Sequence, residues 1–403
     1  MKKFIATSAL VCSSSLFAVD FDDFRTLMAT NVCIDCDLSH IDLEGIDLEN
    51  ADLSGSNLTG TNLYGSNLED AILTDVIFDY ATLTGSNMKR VDAAGAFFTR
   101  ADMQGVDLFN ALITEADFSR ASLIEASFKN VEGSEALFNN TDLTRADFVY
   151  ADLEAAQFEN TILTDSIFSL SNLIGVTFER ATAEGIDLSA SIMIETVLSN
   201  VDMHEANLAG ADISESDFEG ANISNSDFTG ATLAESVFRN SEMTNVNFTS
   251  ANLRQVDLTG GILSDSVFSY ANLFNVSLDN SIIMDAQFQS TLIRESTLVG
   301  ANLNGADLSG SDLAFVNMER SFAQGADFSD ANFFAANLTE ANLTGSDLSY
   351  SVLTESILFR ANLYGVDLLG ADIRDAQLEG AILCEARLPD GRANRDCNTL
   401  IPN

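Results

Sequence analysis

Residues 301–320 read ANLNGADLSGSDLAFVNMER, and the first ten state one five-residue unit twice: a small residue, Asn or Asp, Leu, a variable residue and Gly. Followed outward in both directions, the Leu position recurs in steps of five from Leu38 to Leu388 without insertion or deletion. Of these 71 positions, 67 are Leu, Phe, Ile or Met, the exceptions being Ala93, Gly133, Ala183 and Ala323. Two residues earlier the side chain is small, with Ile41, Ile46 and Ile186 as larger cases, and the residue between is Asp or Asn in 39 of the 71 units.

Two apolar residues two apart, with a polar one between, form the inward face of a short strand, because side chains alternate sides in an extended chain. A helix needs spacings of three and four, which this pattern never sustains. The inward pair returns every five residues, so the chain turns after each short strand, and the last two residues of the unit, often polar or Gly, make the corner. Such a path is a solenoid in which each coil pairs with the next. The number of sides follows from the phenylalanines. Seventeen large apolar positions are Phe, and sixteen of them, such as Phe118, Phe138 and Phe158, or Phe128, Phe148 and Phe168, have numbers ending in 8; Phe333 is the exception. Preference for every second unit requires an even number of faces. Four faces make a coil of 20 residues, so the 355 residues of the repeat wind about 18 coils into a rod roughly 85 Å long at the usual strand spacing.

Units of the form Ala51-Asp52-Leu53, Ala206-Asn207-Leu208 and Ala301-Asn302-Leu303 resemble those of the pentapeptide-repeat proteins, over residues 36–390. The resemblance implies an all-β chain folded as a right-handed quadrilateral β-helix. Cys33-Ile34-Asp35-Cys36-Asp37-Leu38 at one end, and Leu388-Pro389-Asp390-Gly391 followed by Cys397 at the other, are similar to the ends of exported members. The family also includes cytoplasmic members that mimic DNA and bind type II topoisomerases, which makes a DNA-mimicking topoisomerase binder the alternative functional reading. The unit is broken by apolar residues where Asp or Asn is usual, among them Ile72, Ile77, Ile162, Ile192, Val237, Ile262, Val352 and Ile382, and these place apolar side chains outside.

Residues 1–18 have the layout of a secretory signal peptide: Lys2 and Lys3, an apolar stretch from Phe4 to Cys12, and a short polar segment before Ala18, where cleavage is expected. The apolar run is too short to span a bilayer, which takes about 20 residues. Val11 also stands where a lipid-attachment motif before Cys12 has a smaller residue. The reading therefore places the mature protein outside the cytoplasm, in the periplasm or secreted. Residues 19–35 are expected to cap the first coil, with Phe21, Phe24, Leu27 and Met28 at helical spacing forming a short amphipathic helix. Residues 391–403 are expected to cap the last. Without caps the ends expose unpaired backbone and invite end-to-end pairing of two copies. Removal of Cys12 leaves four cysteines, Cys33 and Cys36 at one end and Cys384 and Cys397 at the other. A zinc site or redox-active Cys-x-x-Cys pair is the competing reading for Cys33 and Cys36. An oxidising compartment and an even count favour two structural disulfides, Cys33–Cys36 and Cys384–Cys397, and one metal ion cannot reach both ends of a rod.

The 403 residues carry 61 Asp and Glu against 19 Lys and Arg, a formal net charge of −42, with two His and no Trp. Such a surface repels nucleic acid and anionic lipid. An interior filled by Leu and Phe leaves no concave site with convergent polar groups, and His40 and His204 both lie at outward positions far apart. No catalytic residue, metal ligand or cofactor site is expected, and no carboxylate spacing matches a calcium loop. The repeat itself holds 56 acidic and 14 basic residues. That charge solvates the rod or recruits a basic protein. Outward aromatics such as Tyr64, Phe109, Phe274, Phe334, Tyr150, Tyr270 and Tyr350 lie several coils apart and are not expected to form a continuous stripe. Arg100, Arg120, Arg180, Arg320 and Arg360 share one edge, where internal salt bridging is the favoured reading. The functional expectation is a non-enzymatic, exported repeat protein acting as a rigid acidic scaffold or protein-interaction rod.

Overall fold

The computed structural model describes residues 21–395. The expected signal peptide and Cys397 lie outside the described residues. A parallel bridge joins the middle residue of each unit to the residue 20 positions on, from Val32↔Asp52 and Asp37↔Asn57 to Asp367↔Arg387. The chain is therefore a four-sided coil of 20 residues, with the even number of faces that the phenylalanine parity requires. On each side the core residue donates upward and the middle residue downward: Leu38 N–H reaches the Asn57 carbonyl at 2.8 Å, and Asn57 N–H reaches that of Cys36 at 2.8 Å. A third bond, such as Ala51 N–H to the Leu48 carbonyl at 3.0 Å, closes each corner. Backbone pairing is thus satisfied between coils, which lets so short a strand persist.

Every fifth residue from Asp35 to Glu385 has a φ between +52° and +74°. This left-handed conformation makes the 90° corner and costs any residue with a Cβ about 1–2 kcal/mol, least for Asn and Asp. Gly, Asn, Asp and Glu recur there, and Val, Ile and Thr never occur at these positions. That exclusion was legible in the sequence and is the most direct local signature of the corner.

Inside, two phenylalanine columns fill opposite faces. Phe78, Phe98, Phe118, Phe138, Phe158 and Phe178 stack with centroids 4.7–5.1 Å apart. Phe128, Phe148 and Phe168 form the facing column and meet the first edge-on, as in Phe118–Phe128 at 5.8 Å and 88°. Stacking along the axis and edge contacts across it are the two favoured aromatic arrangements, each adding about 0.5–1.5 kcal/mol to the burial itself. Small inward positions hold mostly Ala, Val, Ser or Thr, and many of the buried hydroxyls reach a carbonyl, as Thr61 Oγ1 does to Leu38 at 2.8 Å and Ser86 Oγ to Leu83 at 2.7 Å. Of the four broken core positions, Gly133 is filled by its neighbours, since an added Cβ would lie 2.9 Å from Ile113 Cγ1 and 3.1 Å from Leu153 Cδ2. At Ala183, by contrast, a small apolar gap remains among Phe178, Ile186, Leu188, Leu198, Val201 and Met203.

The ends differ in detail from expectation. Helix α1 spans Phe21–Thr30. Leu27 is buried and Phe24 packs partly on the core, whereas Met28 is 51% exposed and takes no part in the apolar face. Among the stripe side chains described, Leu27 is the one that is fully buried against the first coil. Coil pairing begins at Val32, and Cys33 already fills a core position, so the ladder reaches back into the segment expected to be cap. Cys33 and Cys36 are bonded Sγ to Sγ. At the other end the chain reverses after Gly391 and Ala393 pairs antiparallel with Arg387. Cys384 is buried beside this hairpin. No helix among the described residues is long and apolar enough to cross a membrane.

Candidate interaction surface

The surface divides by position within the unit. Asp or Asn in the middle of a strand accepts the N–H two residues later, as Asp117 Oδ1 does from Ser119 at 2.8 Å, Asp307 from Ser309 at 2.9 Å and Asp347 from Ser349 at 2.8 Å. Asn adds a bond along the rod: Asn62 Nδ2 donates to Asp42 Oδ1 at 2.9 Å, Asn207 to Asp187 at 3.0 Å and Asn332 to Asp312 at 2.9 Å. These carboxylates are part of the fold's own hydrogen bonding.

Corner acids are placed differently. One edge carries Asp35, Asp75, Glu115, Glu135, Glu195, Glu215 and Glu235 at intervals of one coil or a few coils, with no basic residue in the same column. None of them forms an ion pair with a described residue. Asp92, Glu132, Asp152 and Asp212 line the adjoining face. The basic side chains elsewhere are mostly paired. Arg180 meets Glu179, Arg320 meets Glu319 and Glu340, and Arg360 also reaches Glu340, which agrees with internal bridging on that edge. Arg100 instead contacts Tyr80 through its hydroxyl and ring. Arg90 holds the Asp70 carboxyl below the ordinary range by a direct hydrogen bond. Glu69 is held down first by Asn87 and then by Arg90.

Farther along, the acidic edge changes character. Arg254 lies over the Phe274 ring 5.2 Å from its centroid, and Arg294 lies 5.8 Å from that of Phe315. Phe315 in turn meets Phe334 edge-on at 5.4 Å. Arg254 has no ion pair among the described residues, and Arg294 stands 3.7 Å from Asp312, too far for a hydrogen bond. Arg and Phe side chains therefore occupy successive coils along this edge, in contact as Arg254–Phe274 and as Arg294–Phe315–Phe334. Phe315 supplies the missing link from the corner position, one residue beyond the column that holds Phe274 and Phe334, and its 46% exposure makes it an outward aromatic. Phe97 and Phe322, in mid-strand positions, are likewise exposed and were passed over.

His40 and His204 sit on the surface in different coils. His204 Nδ1 lies 2.8 Å from Asp202 Oδ1, and this bond raises its pKa above the ordinary value. Among the described residues one set of potential metal donors converges, Asp23 with Cys33 and Cys36, and both sulfurs are already committed to each other.

Sequence-family descriptions match along the rod: "Pentapeptide repeats (8 copies)" over segments between residues 36 and 114 and between 286 and 389, and "Pentapeptide repeat region" over 111–188, 191–268 and 211–288. No curated protein matches. Among solved structures, the chain is 27% identical to HetL of the cyanobacterium Nostoc sp. strain PCC 7120, covering 59% of this chain and 93% of that one, with a TM-score of 0.24. It is 33% identical to Rfr23 of Cyanothece 51142 over 21% of this chain and 58% of that one, TM-score 0.21. With QnrB1, a plasmid-mediated fluoroquinolone resistance protein, the identity is 21% over 51% and 90% of the two chains, TM-score 0.29.

Proposed function

Because the chain belongs to the pentapeptide repeat family, we propose that it is an exported, non-enzymatic interaction rod whose corner carboxylates recruit a basic protein partner. The observation that carries this reading is the division of the acids. Middle-position Asp residues are engaged by the turns, whereas the column from Asp35 to Glu235 has no ion-pairing partner in the described chain. A row of unpaired charge on a rigid scaffold steers a complementary partner at little cost in reorganisation. Export is supported by the layout of residues 1–18, and a second disulfide joining Cys384 to Cys397 accords with it. The coil is taken to be right-handed, as in the family.

Fractionation of the producing cell, with N-terminal sequencing, tests the location. A mature start near Val19 outside the cytoplasm supports export. Intact Met1 in the cytoplasm would instead favour the topoisomerase-directed DNA mimic. Partner recruitment is tested by pull-down: the rod retains a basic protein at low salt and releases it as the charges are screened, over a Debye length of about 8 Å at physiological ionic strength.

A further inference from the structure

One edge of the rod joins two complementary halves. From Glu115 to Glu235 its corner column reads Glu115, Glu135, Ala155, Gly175, Glu195, Glu215, Glu235. Ile174 and Ile194 stand immediately beside this column, so the stretch is acidic at both ends and more apolar between, where Glu154 beside Ala155 is the one carboxylate. From Arg254 to Arg374 the same edge reads Arg254, Phe274, Arg294, Phe315, Phe334, Thr354, Arg374. The coil-to-coil bonds Glu235 N–H to Arg254 carbonyl and Gln255 N–H to Phe274 carbonyl show the two halves continuous along one edge.

We propose that this edge is a self-association surface, on which a second copy lies alongside in the antiparallel sense about a two-fold axis near residue 244. The proposal rests on the interaction-rod reading and goes beyond it, giving the acidic column a second occupant, another copy of this chain, beside a basic protein. Antiparallel placement is the arrangement that sets each copy's Arg and Phe half against the other's acidic half. Matching the apolar segments then fixes the register. Phe315 and Phe334 fall opposite Gly175, Ile174 and Ala155, Phe274 falls opposite Glu215, and in the same register Arg254 falls opposite Glu235, Arg294 opposite Glu195 and Arg374, which also pairs with Asp372 of its own chain, opposite Glu115. A shift by one coil moves Phe315 beside Glu195 in one direction and Phe334 beside Glu135 in the other. Two-fold symmetry makes every contact twice, as closed isologous dimers do. Arginine and aromatic side chains are also the types enriched where interfaces hold most of their energy.

Two effects oppose association and bound its strength. Glu295, Glu355 and Asp375 lie on the same edge and meet like charges in this register. The two rods also repel through their net charge, although charges farther apart than about 8 Å are screened at physiological salt. The contact is therefore a weak dimer.

The test is a charge swap read by sedimentation equilibrium of the full mature chain. The wild type is expected to be in monomer–dimer equilibrium. Arg254→Glu with Arg294→Glu weakens it at least about tenfold, and Glu195→Arg with Glu235→Arg does the same, because like charges then face each other. An equimolar mixture of the two variants restores the wild-type dimer fraction, since both copies of the contact become complementary again. Circular dichroism of each variant checks that the coil is intact. A wild-type monomer at all concentrations overturns the proposal and leaves recruitment of a basic protein standing. A dimer unaffected by either variant, as end-to-end pairing would give, also overturns it, as does a mixture that stays monomeric.

Discussion

Ala183 stands in a core column between Leu163 and Met203 and leaves the described interior's small apolar gap beside Phe178. Gly133, the most severe break in the repeat, leaves none, because Ile113 and Leu153 close over it. The same sequence anomaly thus has two structural meanings. Ala183→Val should raise thermal stability, by about 1 kcal/mol if its two extra carbons fill the gap. Gly133→Val should lower it by about 1–3 kcal/mol through overpacking. Melting curves of the two variants should move in opposite directions, and a fall for both would mean the Ala183 gap does not accept carbon.

Leu170 turns a corner at φ 61° with 47% of its surface exposed, so its side chain gives little packing in return for the left-handed backbone. Leu170→Asn should stabilise by about 1 kcal/mol, because Asn visits this region at lower cost. Asn140, at φ 60°, is the converse. Asn140→Val puts a β-branched side chain where the repeat never has one and should destabilise by more than about 1 kcal/mol. Both changes read out in the chemical denaturation midpoint.

His204 should titrate above the ordinary histidine value of about 6.5, because the Asp202 carboxylate accepts a hydrogen bond from its ring. A raised folded-state pKa stabilises the fold below the unfolded value, and that contribution is lost as pH rises through the folded value. With only two histidines in the chain, the ring protons are readily assigned by NMR. Asp202→Asn should bring the His204 midpoint down towards the ordinary value.

The fold was almost wholly legible because one periodicity dictates it. A five-residue register sets the strand, the phenylalanine parity sets an even number of sides, and the bridges from Asp37 to Asn57 and onward are those of four. What escaped sequence reading depends on adjacency between columns. Phe274 and Phe334 look isolated in the sequence because the residues between them, Arg294 and Phe315, differ in type and in unit position, and the contacts cross both. Met28 misled for a different reason. Helical spacing specifies a face, but only contact with the first coil decides how much of it is buried, and here that is Leu27 and part of Phe24.

The central claim is that the acids of the corner column from Asp35 to Glu235 serve partners while acids in mid-strand serve the fold, and a paired set of neutralisations tests it most directly. One variant carries Glu115→Gln, Glu135→Gln, Glu195→Gln, Glu215→Gln and Glu235→Gln; the other carries Asp117→Ala, Asp147→Ala, Asp187→Ala, Asp227→Ala and Asp307→Ala. Each is measured for thermal midpoint and for low-salt retention of a basic protein. The account predicts that the corner variant keeps the wild-type midpoint, since exposed charges contribute little individually, and loses retention. It predicts that the mid-strand variant melts earlier, each lost turn bond costing about 1 kcal/mol. A corner variant that retains the partner undiminished, or a mid-strand variant with an unchanged midpoint, would contradict it.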